Sequence, residues 1–156
     1  MKTAEDIIKE KNGKLITIDR NETVIKAIEI MVKMKIGAIL VTDENNEIIG
    51  IWSERDHLRN TVRPDFDPRN AIIKDYMVSP VFHASHDDSL DKLQDMFLGL
   101  FIRHLPVKKN GENIGLISIG DVTRANLMEK DYKIKELHKI ASWEYYENWG
   151  WHQKHE

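Results

Sequence analysis

Two stretches of the 156-residue chain place the same polar residues at the end of an apolar run: EIIGIWSERDHLR at 47–59 and ENIGLISIGDVTR at 112–124. Ile49, Gly50, Ser53, Asp56 and Arg59 recur as Ile114, Gly115, Ser118, Asp121 and Arg124, each 65 positions later. A serine directly after a strand, with an acid three residues on, is first a helix start. Its hydroxyl accepts from an exposed amide, and the carboxylate favours the positive end of the helix dipole. The same junction binds phosphate, because free amides point outward from a helix N-terminus. An aspartate there opposes phosphate but suits a vicinal diol, since one carboxylate can accept from both hydroxyls of a ribose. Phosphate and ribose together describe a nucleotide. Both copies keep Ser and Asp, although Thr, Asp or Asn caps as well and Glu suits the third position better.

Neighbouring residues admit two readings each. Gly50 and Gly115 leave room for a ligand close to the backbone, or they mark a bulge or a packing constraint. Arg55, Arg59 and Arg124 can meet phosphate charge, or line a solvated helix face.

The elements that must position these residues are themselves repeated. Upstream the offset becomes 66: Thr23-Val24 matches Ser89-Leu90, and GAILV at 37–41 matches RHLPV at 103–107. One residue is therefore lost between Val107 and Gly115, in an Asn-rich segment that reads as a hairpin loop. Each copy has the order strand, helix, strand, hairpin, strand, helix. The patterning predicts strands at 15–18, 37–42 and 48–52 with helices at 23–34 and 54–61, then strands at 81–84, 104–108 and 113–118 with a helix over 119–129. Val24, Ala27, Ile28 and Met31 follow the spacing of a buried helix face, as do Leu90, Leu93, Met96, Phe97 and Leu100. The expected fold is α/β (α+β), two small three-stranded sheets each covered by helices on one face and packed about a pseudo-twofold axis. The divisions are 1–62 with a lead-in helix, a proline-bearing linker at 63–72, 73–129, and an aromatic-rich C-terminal helix or tail at 130–156.

Composition bounds the function. With 41% hydrophobic and 31% charged residues the chain can bury a core, and a net charge of −3 gives no basic surplus for nucleic acid or an acidic membrane. The absence of cysteine removes disulfides, thiolate catalysis and cysteine-bound metal centres. The start has no apolar targeting core and no segment approaches a membrane span, so a cytoplasmic location is expected. The seven histidines include His83 with His86 and His152 with His155, but neither pair has further ligands at metal-site spacing. No Walker loop, nucleophile–base pair or paired acids can be assigned, and no enzymatic activity is expected.

These residues resemble a known family. T-V-x-x-A with GAILV-x-D and GI-x-SERD is similar to a cystathionine-β-synthase (CBS) domain, and IRHLPV with GLISIGDV-x-R is similar to its partner. Two in tandem make a Bateman module, here over residues 4–129. The resemblance implies a regulatory module that binds adenosine compounds in clefts between the repeats and signals to a partner. AMP, ADP or ATP is the expected regulatory ligand, as in energy sensing, with NAD(H) or S-adenosylmethionine sharing the recognised part; no cofactor is required. It assigns ribose contacts to Asp56 and Asp121 and phosphate-side contacts to Ser53 and Ser118. Arg103 and His104 inherit phosphate binding. Gly37-Ala38 stands at that position in the first copy, so the two sites are unequal.

After residue 130 the resemblance ends. Ile134, Leu137, Ala141 and Tyr145 keep helical spacing, and Trp143, Trp149 and Trp151 crowd the last fourteen residues. Such aromatics call for cover, from the protein's own surface, a second subunit or an unknown target protein. A homodimer is expected. The competing reading is a scaffold protein whose Ser-x-x-Asp motifs only cap helices and whose tail binds other proteins.

Overall fold

The structure, a computed structural model, describes residues 1–141. The chain runs α1 (Ala4–Lys11), β1 (Thr17–Asp19), α2 (Val24–Met34), β2 (Ala38–Thr42), β3 (Ile48–Ser53), α3 (Glu54–Asn60), a 3₁₀ turn (Ile73–Asp75), β4 (Ala84–Ser85), α4 (Leu90–Leu100), β5 (His104–Lys109), β6 (Glu112–Ser118) and α5 (Ile119–Ala141). It is a mixed α/β fold of two three-stranded sheets, ordered β1-β2-β3 and β4-β5-β6. In each the first pair is parallel and the second antiparallel.

Local sequence accounts for the repeated elements. Thr23 and Ser89 cap α2 and α4 by accepting from the amides of Lys26 and Lys92. Val24, Ala27 and Met31 of α2, and Leu90, Leu93 and Phe97 of α4, turn one stripe of each helix into its own core. β2 is buried along its whole length, as a central apolar strand must be. Both hairpins carry a register shift at the matching place, Val41/Thr42 and Val107/Lys108. The second closes through Asn110 and Gly111, each at positive φ, the chemistry of a two-residue turn. The first needs the longer segment from Asp43 to Glu47, whose amide and carbonyl pair at 3.0 Å. The length difference falls within the expected segment.

The edge strands differ from the sequence expectation. β1 and β4 form only at 17–19 and 84–85, because ladder bonds begin where Thr17 meets Leu40 and Ala84 meets Val107. The last helix runs beyond 129 to Ala141, since nothing in EKDYKIKELHKI breaks it. Trp143, Tyr145, Trp149 and Trp151 lie outside the described residues.

Each repeat is completed by a segment that precedes the other in sequence. Ala4 and Ile7 of α1 are buried in the second core with Leu93, Phe97, Leu105 and Ile117. Ile73 is buried in the first core with Val24, Ile39 and Trp52. The backbone bonds repeat accordingly: Ala4 and Glu5 donate to the carbonyls of Asp88 and His86, and Ile73 and Lys74 to those of Glu22 and Arg20. Isolated bridges join Thr3 to Ser89 and Thr23 to Ile72. The lead-ins are thus exchanged, and the two halves are tied at both ends.

Candidate functional site

The two Ser-x-x-Asp motifs sit where a strand becomes a helix, and both form complete capping boxes. Ser53 accepts from the Asp56 amide at 3.3 Å, while Asp56 Oδ2 accepts from the Ser53 amide and hydroxyl, each at 2.9 Å. In the second copy Asp121 Oδ2 accepts from the Ser118 amide at 2.8 Å, and Ser118 Oγ accepts from the Asp121 amide at 3.1 Å. The first helical amide is also used, Glu54 donating to Gly37 O at 3.0 Å and Ile119 to Arg103 O at 2.9 Å. The amide in between, of Arg55 and of Gly120, is the first-turn donor that these bonds leave over.

α3 is anchored from within. The indole N–H of Trp52, fully buried, donates to Asn60 Oδ1 at 2.9 Å. His57 and Phe66 close an aromatic row beside it, with ring centroids 5.9 Å apart. A buried donor on β3 that finds its acceptor at the far end of the short helix following it ties α3 back to the strand and fixes the direction in which Ser53 and Asp56 are presented.

Between the repeats, the start of β5 faces the start of α3. A Cβ at Gly37 would lie 3.3 Å from Glu54 Oε1 and 3.8 Å from His104 Nε2, so Gly37 sits against both side chains and a larger residue would press on the Glu54 carboxylate. Burial pushes the His104 imidazole pKa down, the Arg103 cation adds to that, and Glu54 and Asp121 oppose it without prevailing. His104 is therefore a neutral hydrogen-bonding group near neutral pH. Burial pushes the Asp121 carboxyl up, but the Lys11 ammonium and the Ser118 bonds outweigh it, and its pKa lies below the ordinary carboxylate value. Asp121 is ionised. Lys11 Nζ donates to Asp121 Oδ2 at 2.8 Å and to Leu116 O at 2.9 Å.

The expected site residues divide on this geometry. Ser118, Asp121, Arg103 and His104 come together, since His104 and Ser118 are register partners on β5 and β6. Ser53 and Asp56 form the matching junction on the first repeat, with Arg59 Nη1 at 3.5 Å from Asp56 Oδ1. Arg55 and Arg103 are exposed. The room left by the missing side chain at Gly50 is filled by the protein itself: a Cβ there would stand 2.3 Å from Met77 Sδ, and one at Gly115 would stand 2.4 Å from Ile8 Cδ1. Both glycines are packing constraints set by the exchanged lead-ins. Lys11 and Glu54 are additions that sequence reasoning missed. Glu54 lies inside the SERD motif, whereas nothing in the sequence links Lys11 to residue 121.

A shallow cleft of about 370 Å³ lies beside α3, walled by Met31, Val32, Ile36 and Trp52 with Glu54 and His57 at its edge. Asp56 and Asp121 are not among its walls. His86 Nδ1 faces Glu5 at 3.3 Å, and among the described residues no group of three or more His, Cys, Asp or Glu could hold a metal ion. No helix of the described residues is long and apolar enough to cross a membrane.

The CBS domain family matches residues 4–59 and 73–127. The chain is 31% identical over 115 residues to an uncharacterized 17.7 kDa protein of Acidianus ambivalens, covering 73% of this chain and 68% of that one. It is 27% identical over 143 residues to the mitochondrial CBS domain-containing protein CBSX3 of Arabidopsis thaliana, covering 86% and 69%. Of a longer Arabidopsis relative, CBSCBSPB2, the match spans only 20%. A solved CBS-domain containing protein from Agrobacterium tumefaciens superposes with a TM-score of 0.76 at 29% identity, over 80% of this chain and 99% of that one. The CBS domain pair of protein MJ0100, solved with 5′-methylthioadenosine and S-adenosyl-L-methionine, shares the fold with a TM-score of 0.72 at 20% identity, over 83% and 98%.

Proposed function

The chain belongs to the CBS domain family, and from that premise we propose that it is a non-catalytic regulatory module that binds an adenosine nucleotide between its repeats and passes the change to a partner protein. CBS pairs are in general regulatory ligand-binding modules, and the ligands of MJ0100 are adenosine compounds. The observation that carries the reading is the ionised Asp121 carboxylate at the β6–α5 junction, next to Ser118 and on the same sheet end as His104 and Arg103. A carboxylate there accepts from a ribose diol, and the basic pair on β5 meets phosphate. The first repeat offers Ser53 and Asp56 but has Gly37 and Ala38 in place of the basic pair, so its site is the weaker. Calorimetric titration with AMP, ADP, ATP, NAD(H) and S-adenosylmethionine tests the reading. Saturable binding without turnover supports it, and silence across the panel leaves the motifs as caps.

One observation favours the scaffold alternative: each Ser-x-x-Asp pair satisfies itself as a capping box without a ligand. The basic pair separates the two readings. Replacing Arg103 and His104 together by alanine erases the preference for AMP over adenosine and leaves adenosine affinity within a few-fold, because ribose contacts remain. Equal losses for both ligands assign the pair to the fold instead.

Homodimerisation belongs to the same proposal. Leu98, Phe101, Leu127 and Met128 on α4, its C-cap and α5, and Leu58 and Val62 at the end of α3, are exposed apolar side chains whose burial is favourable by ~25 cal/mol per Å². Light scattering at micromolar concentration is expected to give a dimer mass, weakened by truncation after Lys130, which cuts α5 through its middle. A monomer mass for the full chain, with and without AMP, removes the dimer.

A further inference from the structure

Lys11 is the last residue of α1, and the lead-in exchange carries it from the start of the chain onto the acid of the second repeat. Its ammonium lies 2.8 Å from Asp121 Oδ2 and is held a second time by Leu116 O at 2.9 Å. The lysine side chain remains 38% exposed while the carboxylate is 12% exposed, so the cation has a path to solvent and the acid has little. Among the described residues the first repeat shows no such group. Ile8 and Met77 correspond by packing on Gly115 and Gly50, and counting on from them sets Pro80 opposite Lys11. Asp56 accepts from the Ser53 amide and hydroxyl, and among the described residues its ion pair is with Arg59 of its own helix, at 3.5 Å.

Asp121 Oδ2 thus already accepts from the Ser118 amide and from Lys11. Its remaining accepting capacity is on Oδ1, so a ribose that spans both carboxylate oxygens with its two hydroxyls displaces the ammonium or shares Oδ2 with it. An uncharged nucleoside that displaces it exchanges an ion pair for two hydroxyl bonds and leaves the cation without a counter-charge. A nucleotide brings the replacement acceptor with it. The ammonium carries three donors on a flexible four-carbon stem, so it can turn from carboxylate to phosphate as the ribose arrives. In S-adenosylmethionine the sulfonium stands where a nucleotide has its first phosphate, so the group at that position repels the ammonium where phosphate would accept from it.

We propose that Lys11 is the specificity-determining residue of the second-repeat site: it covers the Asp121 carboxylate until a phosphate-bearing adenosine compound draws it away, so that this site takes anionic nucleotides and disfavours nucleosides and sulfonium compounds. The inference rests on the reading of Asp121 as the ribose acceptor. Lys11 acts through Asp121 and is in that sense a positioning residue for the ribose and a direct contact for the phosphate.

The test is calorimetry of the full chain with adenosine and AMP, on the wild type, Lys11→Met, Lys11→Gln and Lys11→Arg, with thermal melts of each. In both neutral variants adenosine is expected to bind several-fold more tightly and AMP more weakly, so that the AMP-to-adenosine affinity ratio falls by ~10-fold, and Lys11→Arg restores the wild-type ratio. An unchanged ratio in both neutral variants, with the wild type binding both ligands, overturns the role of Lys11 alone. Parallel loss of both ligands with a lowered melting temperature also overturns it, because Lys11 is then an anchor of α1. Absence of any binding by wild type and variants alike overturns the ribose reading itself and the role of Lys11 with it.

Discussion

Replacing Asp121 by alanine lowers adenine-nucleotide affinity by at least ~10-fold, because hydrogen bonds from ribose hydroxyls to a charged acceptor contribute ~1.5–3 kcal/mol. The same carboxylate accepts from the Ser118 amide and from Lys11, so alanine also removes an acceptor from the start of α5. Asp121→Asn separates the two effects: it keeps volume and one accepting oxygen for the amide and removes the charge. The expected result is a melting temperature close to wild type with most of the affinity lost. Asp56→Ala costs less, since the first repeat has Gly37-Ala38 where the second has Arg103-His104. Unchanged titrations in Asp56→Ala, Asp121→Ala and the double variant reduce both motifs to helix caps.

What could be read from the sequence is what local patterning encodes. The strand-to-helix junctions at Ser53 and Ser118, the caps at Thr23 and Ser89, and the turn at Asn110-Gly111 each rest on residues within a few positions of one another. Repetition at a fixed offset then exposed the pairing of halves without a contact being known. The short edge strands were harder, because β1 and β4 exist only where a neighbour across the sheet supplies partners at Leu40 and Val107. The helix expected over 119–129 and the helical spacing from Ile134 on join into one α5 as far as Ala141, because the repeat stops at 129 while helix-forming residues do not.

The site was legible in its motif half alone. Ser118, Asp121, Arg103 and His104 belong to one repeat and were found together. Lys11 reaches Asp121 across 110 positions, and Ile8 fills the space over Gly115 across a similar span, with no periodicity to signal either contact. The same exchange explains why the glycines looked ambiguous. Their missing Cβ atoms are used by Met77 and Ile8, residues that sequence order assigns to the opposite half.

That exchange makes the effect of an N-terminal deletion specific. Removing residues 1–11 is expected to destabilise the second repeat, which lies far away in sequence, and to spare the first, which follows directly. Ala4 and Ile7 leave the second core, Ile8 leaves Gly115 uncovered, and the ion pair of Glu5 with Lys109 at 2.8 Å is lost together with the bond from the Lys2 amide to Glu129 at 2.9 Å. The surface ties count for little, but the buried Ile7 contributes ~1.5–3 kcal/mol and the partly buried Ile8 adds to it, a large share of the ~5–15 kcal/mol that holds a domain of this size. The first core keeps its own cover, because Ile73 and Met77 still pack on it and Val78 still pairs with Ile51. Hydrogen exchange read by mass spectrometry distinguishes the halves: amides of β5, β6 and α4 are expected to lose protection while those of β2 and β3 keep theirs. Loss confined to the first repeat, or a truncated chain as protected as the full one, contradicts the exchange of lead-ins and with it the placement of Lys11 on Asp121.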